Sequence, residues 1–314
     1  MKYMVKYSVI IPIFNEELVI QELYSRLKKV MDAGEGDYEL VFVNDGSTDS
    51  SPSMIKKLCE KDNYVKLLNF SRNFGHQIAI SAGLDHASGD AIIIIDADLQ
   101  DPPEVIPEMI KKWKEGYEVV YGKRMQRKGE TFLKKITAYI FYRFLKSMTS
   151  YDVPMDTGDF RLIDKKVCEN IKKLGEKSRY MRGLISWVGF NQTFVEYVRE
   201  ERLAGKTKYP LRKMIHFALD AITSFSYKPL RLASYLGFIL SVFSFIYLLV
   251  VIYQKLFTST TIVGWTSVIA VNLLFNGIVL IILGIIGEYI ARIYEESKNR
   301  PLYVLREKVG FKNT

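Results

Sequence analysis

Short apolar runs recur through the first half of the chain, at Ser8–Phe14, Glu39–Val43, Val65–Phe70, Ala91–Asp96 and Glu118–Gly122, and their composition predicts strands. Between them lie stretches whose apolar residues return at helical spacing, Glu17–Ala33, Ser51–Lys61 and Gln77–His86. Such alternation needs crossover connections, so the expected fold class is α/β, a mostly parallel Rossmann-like sheet flanked by helices.

The pattern changes toward the C-terminus. Leu232–Gln254 and Val263–Arg292 hold two apolar stretches long enough to cross a bilayer, with Ser241, Ser244, Asn272 and Asn276 as the notably polar interruptions and no ionised side chain at either centre. The alternative is a pair of buried core helices. Two amphipathic stretches, Phe132–Met148 and Pro210–Ser226, either lie along a membrane surface or pack on the sheet. The expected division is a sheet domain over 1–209, a juxtamembrane helix over 210–231, a transmembrane hairpin over 232–292 (spans about 232–254 and 264–290), and a tail over 293–314.

Charge changes the picture in two ways. Of the net +9, a surplus of eight falls within Lys111–Lys146, which carries eleven Lys or Arg against three Glu. Beside two spans, an anionic membrane surface or a phosphate-bearing lipid is a better partner for that segment than nucleic acid. Lys228 and Arg231 precede the first span, Arg292, Lys298, Arg300, Arg306 and Lys308 follow the second, and the connecting loop holds only Lys255. The positive-inside rule then predicts a multi-pass protein of the cytoplasmic membrane with both hairpin ends and the sheet domain in the cytoplasm. The opening MKYMVKYSVIIPIF lacks the apolar core and cleavage site of a signal peptide. Gly277, Gly284 and Gly287 would permit close helix approach, so a homo-oligomer is compatible with the second span. Cys59 and Cys168 are isolated and form no zinc pattern with His76, His86 or His216.

Ligands of open α/β sheets bind beyond the carboxyl ends of strands, and here those ends are acidic. Phe14-Asn15-Glu16 follows the first strand, Asn44-Asp45-Gly46-Ser47 the second, and Asp96-Ala97-Asp98-Leu99-Gln100 the fourth. Asp96, Asp98 and Gln100 offer hard oxygen ligands suited to Mg²⁺ or Mn²⁺ bridging a diphosphate. Turn chemistry and helix capping account for Gly46 and Ser47, whereas Asp45 adds a second acidic group suited to a ribose or base edge. The G-x-G-x-x-G and G-x-x-x-x-G-K-[ST] patterns are absent, which removes the usual support for dinucleotide oxidoreduction and P-loop phosphoryl transfer.

Taken in order, VIIPIFNEE, VNDGSTD, DADLQDPPE, TGDFRLID and RLAGKTKYP, followed by two spans, resemble the inverting family 2 glycosyltransferases of GT-A fold. Within that family the chain is most similar to polyprenyl-phosphate hexosyltransferases, among them bactoprenol glucosyltransferases and dolichol-phosphate mannose synthase. The resemblance implies Pro12, Phe14, Glu16 and Asp45 around the nucleoside, with Asp96 and Ala97 also on the donor nucleotide. It implies Asp96, Asp98 and Gln100 around the metal, Asp159 as the catalytic carboxylate, and Arg124, Arg202 and Lys208, with Arg161 as a further candidate, at donor or acceptor phosphates. Phe14 stands where many members have Tyr, and Lys123 and Thr207 stand where Ser is usual, which leaves those individual contacts open. RGLISW replaces the Q-x-x-R-W of processive synthases. The implied reaction moves a hexose from a nucleotide, UDP-glucose first and GlcNAc, mannose or aminoarabinose donors next, onto polyprenyl (undecaprenyl) phosphate for cell-envelope glycosylation. Asp159 is expected to orient the acceptor or sugar and to contribute modestly as a base. The rivals are transfer to a protein or soluble sugar hydroxyl, and a non-catalytic lipid-binding subunit that keeps the fold.

Overall fold

The computed structural model describes residues 6–125, 157–177, 179–200, 228–257 and 264–311. Phe132–Met148, Pro210–Ser226, Arg202 and Lys208 lie outside them. The chain divides into two compact units: one takes in residues 1–146, 151–214 and 300–314, the other 147–150 and 215–299.

In chain order the first unit runs β1 (Lys6–Ile13), α1 (Ile20–Asp32), β2 (Asp37–Asn44), α2 (Ser51–Lys61), β3 (Val65–Phe70), α3 (His76–His86), β4 (Ala91–Ile94), a 3₁₀ turn (Pro103–Val105), α4 (Ile106–Lys114) and β5 (Val119–Arg124). It continues with β6 (Thr157–Asp164), α5 (Lys165–Lys172), α6 (Met181–Val188) and β7 (Gln192–Tyr197), and closes with β8 (Leu305–Val309). The eight strands form one sheet in the order β7-β5-β6-β4-β1-β2-β3-β8. Pairings β1–β2, β1–β4, β2–β3 and β5–β7 are parallel, and β4–β6, β5–β6 and β3–β8 antiparallel. The α/β expectation holds.

Both faces of the central strands are buried, which is why β1 and β2 read as near-continuous apolar runs. Helix α1 lays Ile20, Leu23, Leu27 and Met31 on the sheet at helical spacing. Each such side chain contributes roughly 1.5–3 kcal/mol when fully buried.

Three strands depart from the expected organisation, one of them Gln192–Tyr197, which pairs parallel with β5. TGDFRLID is antiparallel strand β6, and it carries Asp159 and Arg161 into the interior, both 5% exposed. Leu305–Val309, expected within a tail, is the eighth strand of the sheet.

The second unit holds α7 (Lys228–Phe257) and α8 (Trp265–Ser297). Both are long and apolar enough to cross a membrane, through Leu230–Tyr247 and Leu274–Ser297. Ser241 and Asn272 donate to carbonyls one turn back, Gly237 O at 2.8 Å and Val268 O at 3.0 Å, so each makes a hydrogen bond within its own helix.

Candidate active site

Parallel β1, β2 and β4 end at one edge of the sheet, and antiparallel β6 brings its first residues to that edge from the opposite direction. Strand β4 stops at Ile94, so Asp96–Gln100 form a connection beyond it. Within that connection Leu99 is fully buried at φ 57°, a left-handed conformation unfavourable to a bulky side chain. Asp98 Oδ1 accepts the Gln100 amide at 3.1 Å, while Gln100 Nε2 reaches the Glu200 carbonyl at 3.5 Å.

Asp96 is 27% exposed as a side chain, yet its Oδ1 is shielded and makes no hydrogen bond, facing His76 Nε2 at 3.4 Å. Burial, opposed by His76 and reinforced by Asp159, Asp101 and Asp98, pushes its carboxyl up to about 6. His76 also meets Asp159 Oδ2 at 3.3 Å. Burial disfavours its charged ring, but the two flanking carboxylates win and push it up to about 9, so the ring is a cation at neutral pH.

Asp159 is more fully engaged. Gln77 Nε2 donates to Oδ2 at 3.0 Å, and Arg182 Nε donates to Oδ1 at 2.8 Å. Burial alone would raise this carboxyl, but Arg182 and His76 hold it well below the usual carboxylate range. Gln77 also accepts the Met181 amide at 2.9 Å, fastening the start of α6, and so Arg182, beside Asp159.

At the end of β2, Asp45 is buried and accepts from the Phe74 amide at 2.7 Å, the Gly75 amide at 3.0 Å and Asn73 Nδ2 at 2.9 Å. Burial raises its carboxyl, against the pull of these amides and of His76 and Arg72. Asp45 thereby fixes the loop that leads into His76. Across from it, the Asn15 amide donates to Ser47 Oγ at 3.0 Å and the Glu16 amide to Ser51 Oγ at 3.1 Å. Phe14 is 39% exposed, whereas Pro12 is buried inside β1.

Arg124, at the end of β5, donates to Tyr197 Oη at 3.2 Å and to fully buried Asp101 at 3.5 Å. Burial opposes its charge, but Asp101 and Tyr197 hold the guanidinium above its ordinary range. The guanidinium lies where Gly158 has no side chain, since a Cβ there would come within 2.4 Å of Arg124 Nη2. Arg161 Nη2 donates to Gly158 O at 2.8 Å, its Nε is buried without a hydrogen bond, and burial lowers it to about 10.

The structure therefore gathers Asp96, Asp159, Arg124 and Arg161 around β4, β5 and β6, and links Asp45 to them through the loop 73–76. Sequence reasoning overlooked His76, Gln77, Arg182 and Asp101. Gly75, at φ 108°, marks an unusual entry into α3 at His76 and Gln77, and Asp101 lies within the DADLQDPPE motif.

Among the described residues no three His, Cys, Asp or Glu side chains form a metal shell. Mg²⁺ and Mn²⁺ do not require one, since one or two carboxylates plus substrate phosphates and waters suffice. The orphaned oxygen of Asp96, with Asp98 two residues on, fits such a cation.

A sequence profile for glycosyl transferase family 2 matches residues 8–172. An uncharacterized glycosyltransferase, YkcC, of Bacillus subtilis (strain 168) is 61% identical over 309 residues, covering 98% of this chain and 96% of its own. The bactoprenol glucosyl transferase of Shigella phage SfV is 43% identical over 303 residues, covering 96% and 99%. Among solved structures, the mannosyltransferase PcManGT of Pyrobaculum calidifontis, in complex with GDP-Man and Mn²⁺, aligns with a TM-score of 0.47 at 19% identity over 71% of each chain.

Proposed function

This chain belongs to glycosyltransferase family 2, and from that premise we propose that it transfers a hexose, with glucose from UDP-glucose as the leading donor, onto polyprenyl phosphate with inversion at the anomeric carbon. The observation that carries the acceptor class is the engagement of Asp159. Both of its oxygens are occupied, and Arg182 and His76 keep it ionised far below neutral pH. A carboxylate so held is a weak general base, which suits an acceptor that needs none: a phosphate is already anionic, whereas a sugar or protein hydroxyl must lose a proton. Full-length similarity to a bactoprenol glucosyl transferase supports the same choice.

In this reading a phosphate oxygen of the lipid attacks the anomeric carbon. The bond from that carbon to the donor diphosphate breaks, and its electron pair leaves with the nucleoside diphosphate. Asp159 keeps the cationic pair His76 and Arg182 at the reaction centre, while Arg124 and Arg161 offset the repulsion of two phosphates brought together. Arg202 and Lys208 are proposed for the same task. Asp96 and Asp98, with Gln100 beside them, would hold a divalent cation, which supplies Lewis-acid stabilisation of charge on the leaving diphosphate. Pro12, Phe14, Glu16, Asp45 and Ala97 are proposed around the nucleoside. The apolar helices α7 and α8 and the basic residues flanking them support a multi-pass anchor with the transferase unit on the cytoplasmic side.

Membranes containing the full chain, given radiolabelled UDP-glucose with and without undecaprenyl phosphate, test the reading. Label should enter the organic phase only when the lipid and Mg²⁺ or Mn²⁺ are present, and UDP-GlcNAc and GDP-mannose in parallel identify the donor. Label transferred to a hydroxyl acceptor, with none on lipid, would exclude the phosphate acceptor.

A further inference from the structure

Strand β8 follows the two membrane-length helices and forms the edge of the sheet beside β3, Asn69 standing opposite Glu307. On β8, Val309 and Glu307 stand opposite Leu67 and Asn69 and share one face, and the register then shifts so that Leu305 pairs with Phe70. Val309 packs against the core, whereas Glu307 places a carboxylate on the same face and calls for a reason beyond backbone pairing.

Its partners supply one. Asn69 Nδ2 donates to Glu307 Oε1 at 2.8 Å, and Asn69 Oδ1 accepts from Asn44 Nδ2 at 2.7 Å. Asn44 Oδ1 in turn accepts the Ser47 amide at 3.3 Å. Asn44 is 1% exposed and Asn69 7%, so water does not compete for the amides between Glu307 and the turn. An ionised carboxylate only accepts, which obliges Asn69 to present its NH₂ to Glu307 and its oxygen to Asn44. Asn44 must then present its NH₂ to Asn69 and its oxygen to the turn. The carboxylate, which only accepts, and the Ser47 N–H, which only donates, are thus matched through both amides, in a low-dielectric setting where such chains reinforce one another.

The same strand steadies the neighbouring loop. The Ser71 amide donates to Val304 O at 2.9 Å, Arg306 Nη2 to Ser71 O at 3.2 Å, and the Tyr303 ring stacks on Phe70 at 5.2 Å. Two residues beyond Ser71 begin Asn73–Gly75, which hold the Asp45 carboxylate.

We infer that Glu307 is a positioning residue for the nucleotide end of the site, acting through Asn69 and Asn44 on the turn Asn44–Ser47. This rests on the reading of that turn as the nucleoside side of a transferase. Glu307 touches no substrate; it fixes the direction in which the turn presents Asp45 and Ser47.

The test uses the full chain in detergent, with amide hydrogen exchange at residues 44–48 and UDP affinity by calorimetry. Glu307→Ala should speed exchange at the turn while leaving β1 and β4 protected, and weaken UDP binding about tenfold, the scale of one lost buried hydrogen bond. Glu307→Gln, which keeps the accepting oxygen, should restore most of both. Lys56→Met removes the ion pair of Lys56 with Glu307 at 2.8 Å and should change neither. Unchanged exchange at the turn in Glu307→Ala overturns the inference, as does faster exchange with unaltered UDP affinity, exchange that rises throughout the sheet, or a Lys56→Met defect equal to that of Glu307→Ala. A wild-type chain that binds no nucleoside diphosphate refutes the nucleotide reading and this inference with it. The exchange result needs no ligand, so the two failures are told apart.

Discussion

Arg182 and Asp159 are joined through Nε and Oδ1 at 2.8 Å, although one opens a helix and the other lies in a strand. His76 and Gln77 take the remaining oxygen. The carboxylate is therefore fixed in orientation and charge before any substrate arrives, as a preorganised site requires.

Arg182→Ala should cost about 10²-fold in kcat, because it leaves a buried carboxylate short of its main counter-charge. Arg182→Lys should recover part of the loss. In the wild type Asp159 stays ionised throughout the working pH range, since its carboxyl is held far below it. In Arg182→Ala that carboxyl rises, and kcat should gain an acid limb, falling as pH is lowered. Identical pH profiles for the two enzymes would remove Arg182 from the role of holding the charge.

Affinity for Mn²⁺ should depend on the Asp96 proton. With this carboxyl pushed up to about 6, a cation must displace a proton at lower pH, so binding in the presence of UDP should weaken about tenfold per pH unit below that value. Asp96→Asn should abolish the binding. Electron paramagnetic resonance of free Mn²⁺ between pH 5 and 8 measures both, and a flat pH dependence would argue that Asp96 is not a ligand.

Two glycines separate fold from site. A Cβ at Gly46, where φ is 70°, would lie 2.4 Å from the Asn73 amide nitrogen, and backbone cannot step aside. Gly46→Ala should destabilise the chain by about 2 kcal/mol or more, visible as a lower Tm. At Gly158 the obstructing atom is the tip of Arg124. Gly158→Ala should keep its Tm and instead raise KM for a phosphate-bearing substrate by displacing that guanidinium.

Glu39 governs acid stability away from the site. It is 1% exposed and hydrogen-bonded by Lys66, Ser8 and Ser88, which outweigh burial and hold its carboxyl at about 2. A depressed carboxyl stabilises the fold above its unfolded value of 4.5, and that stability drains as pH falls from about 4.5 toward 2. The shift corresponds to roughly 3 kcal/mol. Glu39→Gln should lower Tm at pH 7, with the gap from wild type narrowing below about pH 4.5 and closing only as pH nears 2.

The central strands were legible because burial on both faces writes an apolar run, and the acidic residues after each run marked the rim. β6 was missed because Asp159 and Arg161 interrupt its apolar pattern, and Asp159 is held in the interior by partners from α3 and α6. β8 was missed because Leu-Arg-Glu-Lys-Val looks soluble, its pairing being made by backbone against β3. Arg182 and His76 were hidden by distance along the chain: they lie 23 and 83 residues from Asp159, and no periodicity records so remote a contact.

The return of β8 to the sheet fixes an order of events during synthesis. The last strand of the first unit follows both apolar helices in the chain, so the sheet cannot be completed until both have been synthesised. It also fixes parity: a chain that leaves the first unit after Met214 and rejoins it at Arg300 can cross a bilayer twice or not at all, never once.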